Sequence, residues 1–194
     1  MVTEKIIIML GSTSDFSFAH NIEDFLREAR FPVKFEYRVS SAHRNPERLL
    51  NDIKSYEQSG DKIIFITVAG LSDALSGVVA ANSKNPVIAC PPDIEKHGLE
   101  KIFSTLMTPT GVPVCLASSP ENVALAAVKI FALSNASLQK RVGEYIDEMR
   151  NAVVKADVEI KGKEVGERER EHIERIEHLE HGEHVEHGED TEDA

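Results

Sequence analysis

The sequence has no tryptophan, two cysteines and only 6% aromatic residues. A hydrophobic content of 41% must therefore build its core mainly from aliphatic side chains. Cys90 and Cys115 form no CxxC pair, and two buried thiols in a reducing compartment are the default reading. No stretch reaches the roughly 18 apolar residues that span a bilayer. Met1 to Lys5 leads straight into a strand pattern, with no charged-then-apolar leader. A cytoplasmic chain with no membrane partner is expected. A basic surface is also lacking. The net charge is −11, and residues 161–194, with five Lys/Arg and thirteen Asp/Glu, carry −8 of it. Residues 1–160 carry 17 minus 20, or −3. Such a body has no electrostatic footprint for nucleic acid.

A chain of 194 residues suits one domain plus an appendage. Residues 1–160 read as an α/β domain and 161–194 as an acidic, His/Glu-rich tail, disordered or marginally helical. The body alternates apolar runs with amphipathic ones. Residues 5–10, KIIIML, read as a strand buried on both faces. Asp15 is placed to cap a helix to about Arg30, with Phe18, Ile22, Phe25 and Leu26 inward. A second strand covers 33–39. A helix over 46–59 starts at Pro46 and turns Leu49, Leu50, Ile53 and Tyr56 inward. Strands at 62–70, 86–90 and 112–117 follow, with a small-residue helix at 73–83 and another after Pro120. Pro113 marks the last strand as an edge or a strand start. Five β–α alternations with short links predict a three-layer sandwich around a five-stranded parallel sheet, in the order 2-1-3-4-5.

A further helix is predicted from Ala136 to about Ala156. Leu138, Val142, Tyr145, Ile146, Met149 and Val153 form one apolar stripe on it. The sheet is complete before this helix begins, so the stripe is expected to bury against its own domain or a neighbouring subunit, with the neighbour preferred. In the tail, His178, His181, His184 and His187 recur every three residues, a spacing that can place metal ligands on one helix face. The composition favours a solvated acidic segment with no metal.

Three motifs follow apolar strands, at the edge where open parallel sheets place their ligands. GSTSD at 11–15 joins a glycine, hydroxyls and a helix N-terminus, whose first N–H groups lack internal partners and suit an anion. Asp15 suits sugar hydroxyls better than phosphate. SSAHRNPE at 40–47 sets His43 beside the permanent cation of Arg44, and AGLSDALSG spans 69–77.

GSTSD, SAHR, AGLSDALSG and ACPP, in this order and spacing, resemble the phosphoribosylaminoimidazole (AIR) carboxylase family of purine biosynthesis, over about residues 5–157. The resemblance implies a flavodoxin-like fold and a homo-oligomer, usually an octamer, with sites shared between subunits. The family has a mutase branch, which moves a carboxylate from the N5 amine to C4 of the imidazole, and a carboxylase branch, which adds free carbon dioxide at C4. Mutases usually carry SAHR and a histidine-containing AAHLPG; direct carboxylases carry SAHK, AGRSNALSG and CPP. This chain is mixed. Ala74 stands where the second histidine would be, and CPP at 90–92 fits the carboxylase branch. Arg44, Leu71 and Asp73 replace that branch's Lys, Arg and Asn.

The implied substrate is a phosphorylated aminoimidazole riboside. Its C4 is an enamine carbon that attacks carbon dioxide and must then lose a proton. His43 is the expected proton shuttle. Arg44 is expected on the phosphate or the new carboxylate, and Ser12, Ser14 and Asp15 on phosphate and ribose. Gly70, Ser72 and Asp73 are expected around the base and carbon dioxide, and Ser41 is expected among the substrate-binding residues. No metal or organic cofactor is required, because the substrate supplies the electron push. Direct carboxylation is the preferred reading. The mutase, a related reaction on another ribotide, and a non-catalytic ribotide-binding protein are the alternatives.

Overall fold

The structure, a computed structural model, describes residues 2–92, 94 and 98–182. β1, Glu4–Leu10, is an interior strand of the sheet, and its residues Ile6 to Leu10 are wholly buried. β1 pairs in parallel with β2, Lys34–Val39, on one side and with β3, Lys62–Val68, on the other. β4, Val87–Ala89, and β5, Cys115–Leu116, continue the sheet in parallel. The order β2-β1-β3-β4-β5 is the one the alternation predicts. β5 is a two-residue edge strand that begins only after Pro113.

The apolar runs are long because both sheet faces are covered. α1, Phe16–Glu28, packs with α5, Pro120–Ala132, while α2, Pro46–Gln58, packs with α3, Ala74–Asn82. Ile7, Met9, Ile63 and Phe65 meet Leu49, Ile53 and Tyr56 of α2 and Leu75 and Val79 of α3 in one cluster. The Tyr56 hydroxyl also donates to Glu36 of β2. Burial, and then that bond, hold its phenol well above the usual range. α4, Leu99–Leu106, lies between β4 and β5 in the chain. Two inward assignments need correction. Leu50 is 42% exposed, because α2 turns only one side chain per turn fully onto the sheet. Phe18 is half-buried, and Ala19 takes its place against the core.

The chain divides into Met1–Gly143 and Glu144–Ala194. α6, Ala136–Gly182, begins in the first unit. There Leu138 and Val142 are buried, and Arg141 donates through Nε to the Ala29 carbonyl at 2.8 Å. In the second unit the same helix exposes Met149 by 52%, Val153 by 69% and Ile160 by 58%. The periodicity predicts an end near Ala156, yet the helix continues to Gly182, with i to i+4 pairs such as Lys161–Asp157 along it. The tail assigned to residues 161–194 is thus helical as far as Gly182. His184 and His187 lie outside the described residues.

Candidate active site

Parallel strands end on one edge, and here three of them end around a cavity of about 340 Å³. The chain leaves β1 through α1 on one face and leaves β2 through α2 on the other. That reversal opens a crevice beyond β1, where doubly wound sheets bind ligands. Each strand contributes one loop to its wall.

The loop after β1 supplies Gly11, Ser12, Ser14 and Asp15. Gly11 N–H bonds the Val68 carbonyl at 2.9 Å, tying the loop to the end of β3. Ser12 and Asp15 form a reciprocal cap: Ser14 N–H donates to Ser12 Oγ at 3.4 Å, and Ser12 N–H donates to Asp15 Oδ2 at 2.9 Å. The sequence predicts Asp15 as the cap of α1. Its carboxylate instead turns back onto Ser12, and it makes no side-chain cap to α1. Asp15 is 6% exposed and lines the cavity.

The loop after β2 supplies Ser41, Ala42, His43 and Arg44. Its base is fixed. Ser40 N–H bonds the Leu10 carbonyl at 2.9 Å, and the buried Ser40 hydroxyl donates to Asp52 of α2. Ser41 then accepts from Arg44 N–H at 3.3 Å, and Asn45 caps α2 through Arg48 N–H at 3.0 Å. The His43 and Arg44 side chains are exposed, and neither bonds another described residue.

The loop after β3 supplies Ala69, Gly70, Leu71 and Ser72, with Leu75 of α3 behind them. A Cβ on Gly70 would sit 3.1 Å from Asp15 Oδ1, so only glycine lets these two loops meet without a shift. Eight of the nine expected site residues line the cavity: Ser12, Ser14, Asp15, Ser41, His43, Arg44, Gly70 and Ser72. Asp73 does not. Its carboxylate caps α3, accepting from Ser76 N–H at 3.0 Å, Ser76 Oγ at 2.5 Å and Thr105 Oγ1 at 2.8 Å. It is 6% exposed, and its own N–H donates to Ser104 Oγ at 2.9 Å.

The ionisable groups of the lining are Asp15, His43 and Arg44: a fixed acceptor, an accessible imidazole and a permanent cation. Together they can hold a phosphorylated sugar and move one proton. Among the described residues, no group of three His, Cys, Asp or Glu is arranged to hold a metal ion. Cys90 follows β4, buried, and that burial, with a smaller contribution from the charge of Glu121, pushes its thiol up to about 12.

The family described as AIR carboxylase matches residues 5–152. The chain belongs to the AIR carboxylase family. A phosphoribosylaminoimidazole carboxylase of Archaeoglobus fulgidus is 41% identical over 157 residues, which cover 81% of this chain and 85% of that one. An N5-carboxyaminoimidazole ribonucleotide mutase of Methanocaldococcus jannaschii is 37% identical, covering 80% and 97%. A crystal structure of Treponema denticola PurE superposes with a TM-score of 0.76 at 32% identity, covering 80% of this chain and 98% of that one. The fold is therefore the flavodoxin-like α/β sandwich of the AIR carboxylase family. Its relatives bear the names of enzymes with two different reactions.

Proposed function

We propose that the protein carboxylates 5-aminoimidazole ribonucleotide at C4 with free carbon dioxide, as a step of purine biosynthesis. The observation that carries this reading is that His43 is the one imidazole in the described cavity lining. The mutase branch of the family carries a second histidine in the loop after β3, and this chain has Ala74 there. In the reaction, C4 of the enamine forms a bond to the carbon of carbon dioxide. The pair from one C=O bond moves onto oxygen, giving a carboxylate. The C4–H pair then returns to the ring as the proton passes to His43 Nε2 or Nδ1. An exposed imidazole with no hydrogen bond to another described residue is suited to accept it and release it to solvent. Arg44 binds the phosphate or orients the carboxylate, and the Ser12–Asp15 turn holds phosphate and ribose.

A second reading keeps its place on two observations. Arg44 gives the SAHR of the mutases, and the Methanocaldococcus relative bears the mutase name. Purified protein separates the two. With AIR and bicarbonate, carbonic anhydrase should speed formation of the C4-carboxylated product. Turnover of N5-carboxyaminoimidazole ribonucleotide, without any on AIR, would move the protein to the mutase branch. Binding of ribotide with neither turnover would make it a non-catalytic ribotide-binding protein.

The working form is proposed to be a homo-oligomer, an octamer by family resemblance, with α6 as an oligomerisation helix. Leu71, Phe103, Leu106 and Met107 are all more than half exposed, and Ser104 between them bonds the loop that carries Leu71. Burying such side chains contributes about 25 cal/mol per Å². Light scattering should give a mass several times that of one chain; a monomer at micromolar concentration overturns this.

A further inference from the structure

We infer that Lys101, which lies outside the cavity lining, is a positioning residue that aims the Gly70–Leu71 peptide at the substrate carboxylate. The inference rests on the carboxylation reading above and names how that site receives the carboxyl group.

Lys101 lies on α4 and is only 4% exposed. Its Nζ donates to the Gly70 carbonyl and to the Pro92 carbonyl. Lysine is almost never fully buried without partners, and taking an ammonium out of water is costly. An apolar side chain would fill the same space without that cost. The bond to Gly70 gives the burial a purpose, because it fixes that peptide from behind while the Pro92 carbonyl holds the ammonium in place.

A trans peptide is planar, and its carbonyl and N–H point in opposite directions. Lys101 holds the Gly70 oxygen, so the Leu71 N–H of the same unit points away from Lys101. Gly70 and Leu71 line the cavity and Lys101 does not. The N–H is therefore on the cavity side. Neither it nor the Ser72 N–H donates to another described residue. Asp15 confines the peptide from the front, since its Oδ1 stands 3.1 Å from the site of a Gly70 Cβ. A charge-assisted bond at the carbonyl also polarises the amide and strengthens the N–H as a donor. Leu71 brings no cation of its own; its backbone, oriented by a buried one, supplies the donor instead.

The test compares affinities for two ribotides, AIR and its C4-carboxylated product, by calorimetric titration of the full chain. Lys101→Met keeps most of the side-chain volume. It should hold AIR within about threefold of the parent but bind the carboxylated ribotide about tenfold more weakly, the scale of a hydrogen bond to a charged group. Leu71→Pro removes the N–H itself and leaves Lys101 in place. It should show the same selective loss, and its failure to do so overturns the inference even where Lys101→Met does not fold. A purely structural role would weaken both ribotides together. Equal losses for the two ligands, or none, overturn the inference. Should the parent protein bind neither ribotide, the functional reading itself falls; should it bind and carboxylate AIR while the variants keep the parent's affinity ratio, only the role of Lys101 falls.

Discussion

The two loops that face each other across the cavity are built in opposite ways. The loop after β2 is anchored at its base by Ser40 and carries the side chains of His43 and Arg44 outward, with no bond to another described residue. The loop after β3 offers no charged side chain to the cavity and is fastened from behind. Lys101 holds Gly70, Ser104 holds Asp73 N–H, and the Asp73 carboxylate holds Ser76 and Thr105. In the proposed reaction one wall supplies chemistry and the other supplies shape. A proton shuttle must reach solvent between turnovers, so it gains from exposure. A surface that receives a developing charge gains from not moving.

Substitutions can break this division of labour. The largest effect is expected at His43. His43→Asn keeps a hydrogen-bonding side chain but cannot carry the proton, and general acid–base groups contribute about 10²–10⁴-fold. Turnover should fall at least about 100-fold while ribotide affinity and thermal midpoint hold, as steady-state kinetics and calorimetry would register. Near-normal turnover would mean that the proton leaves by another route.

Next comes Arg44→Ala. A charge-assisted bond to phosphate or carboxylate contributes about 1.5–3 kcal/mol, so ribotide affinity should drop roughly 10- to 100-fold by titration. His43→Asn should affect catalysis and Arg44→Ala binding; equal losses of affinity in both variants would make His43 a ligand-holding residue.

On the opposite wall the loss should be one of stability. Asp73→Ala removes the cap of α3 and strands buried donors on Ser76 and Thr105. The cost is roughly 2–4 kcal/mol, or a thermal midpoint lower by about 5–15 °C for a domain of this size. Asp73→Asn, which keeps one acceptor for Ser76 N–H, should recover part of it. A midpoint unchanged in both variants would show that the loop is not fastened through this carboxylate.

The smallest effect belongs to the C-terminal segment. Removing residues 161–194 should leave turnover and midpoint nearly unchanged, because that segment lies beyond the family match at 5–152. A large loss of either would show that it completes a site or supports the body.

Much of this was legible in the sequence because β1 and β3 are runs rich in aliphatic residues, and the chain turns to glycine, serine and alanine after each of the first three strands. Such runs announce a sheet covered on both faces, and the loops announce its ligand edge. Asp73 was not legible as a structural residue. Ser-Asp after a glycine reads alike at 14–15 and 72–73. Only the fold puts Thr105 of α4 beside the second carboxylate, while the first turns back onto its own loop. Lys101 gave still less signal. A lysine in an amphipathic helix ordinarily marks the solvated face, and its two acceptors stand 9 and 31 residues earlier in the chain. The full length of α6 was obscured by its composition, since an acidic repeat with few apolar residues satisfies the pattern of a solvated coil as well as that of an exposed helix.

The interior position of β1 also bears on how the chain is made. The first of the five strands in the chain must end between two later ones, and its register with β3 pairs Glu4 with Lys62, 58 residues later. At about 5–20 residues per second, translation reaches that partner roughly 3–10 s after β1 is complete. For that interval a nascent chain carries an apolar run, KIIIML, with one edge unmatched, the kind of segment that pairs with the wrong neighbour. The interval of translation between the first strand and the third is thus the time for which that edge must be kept from other partners.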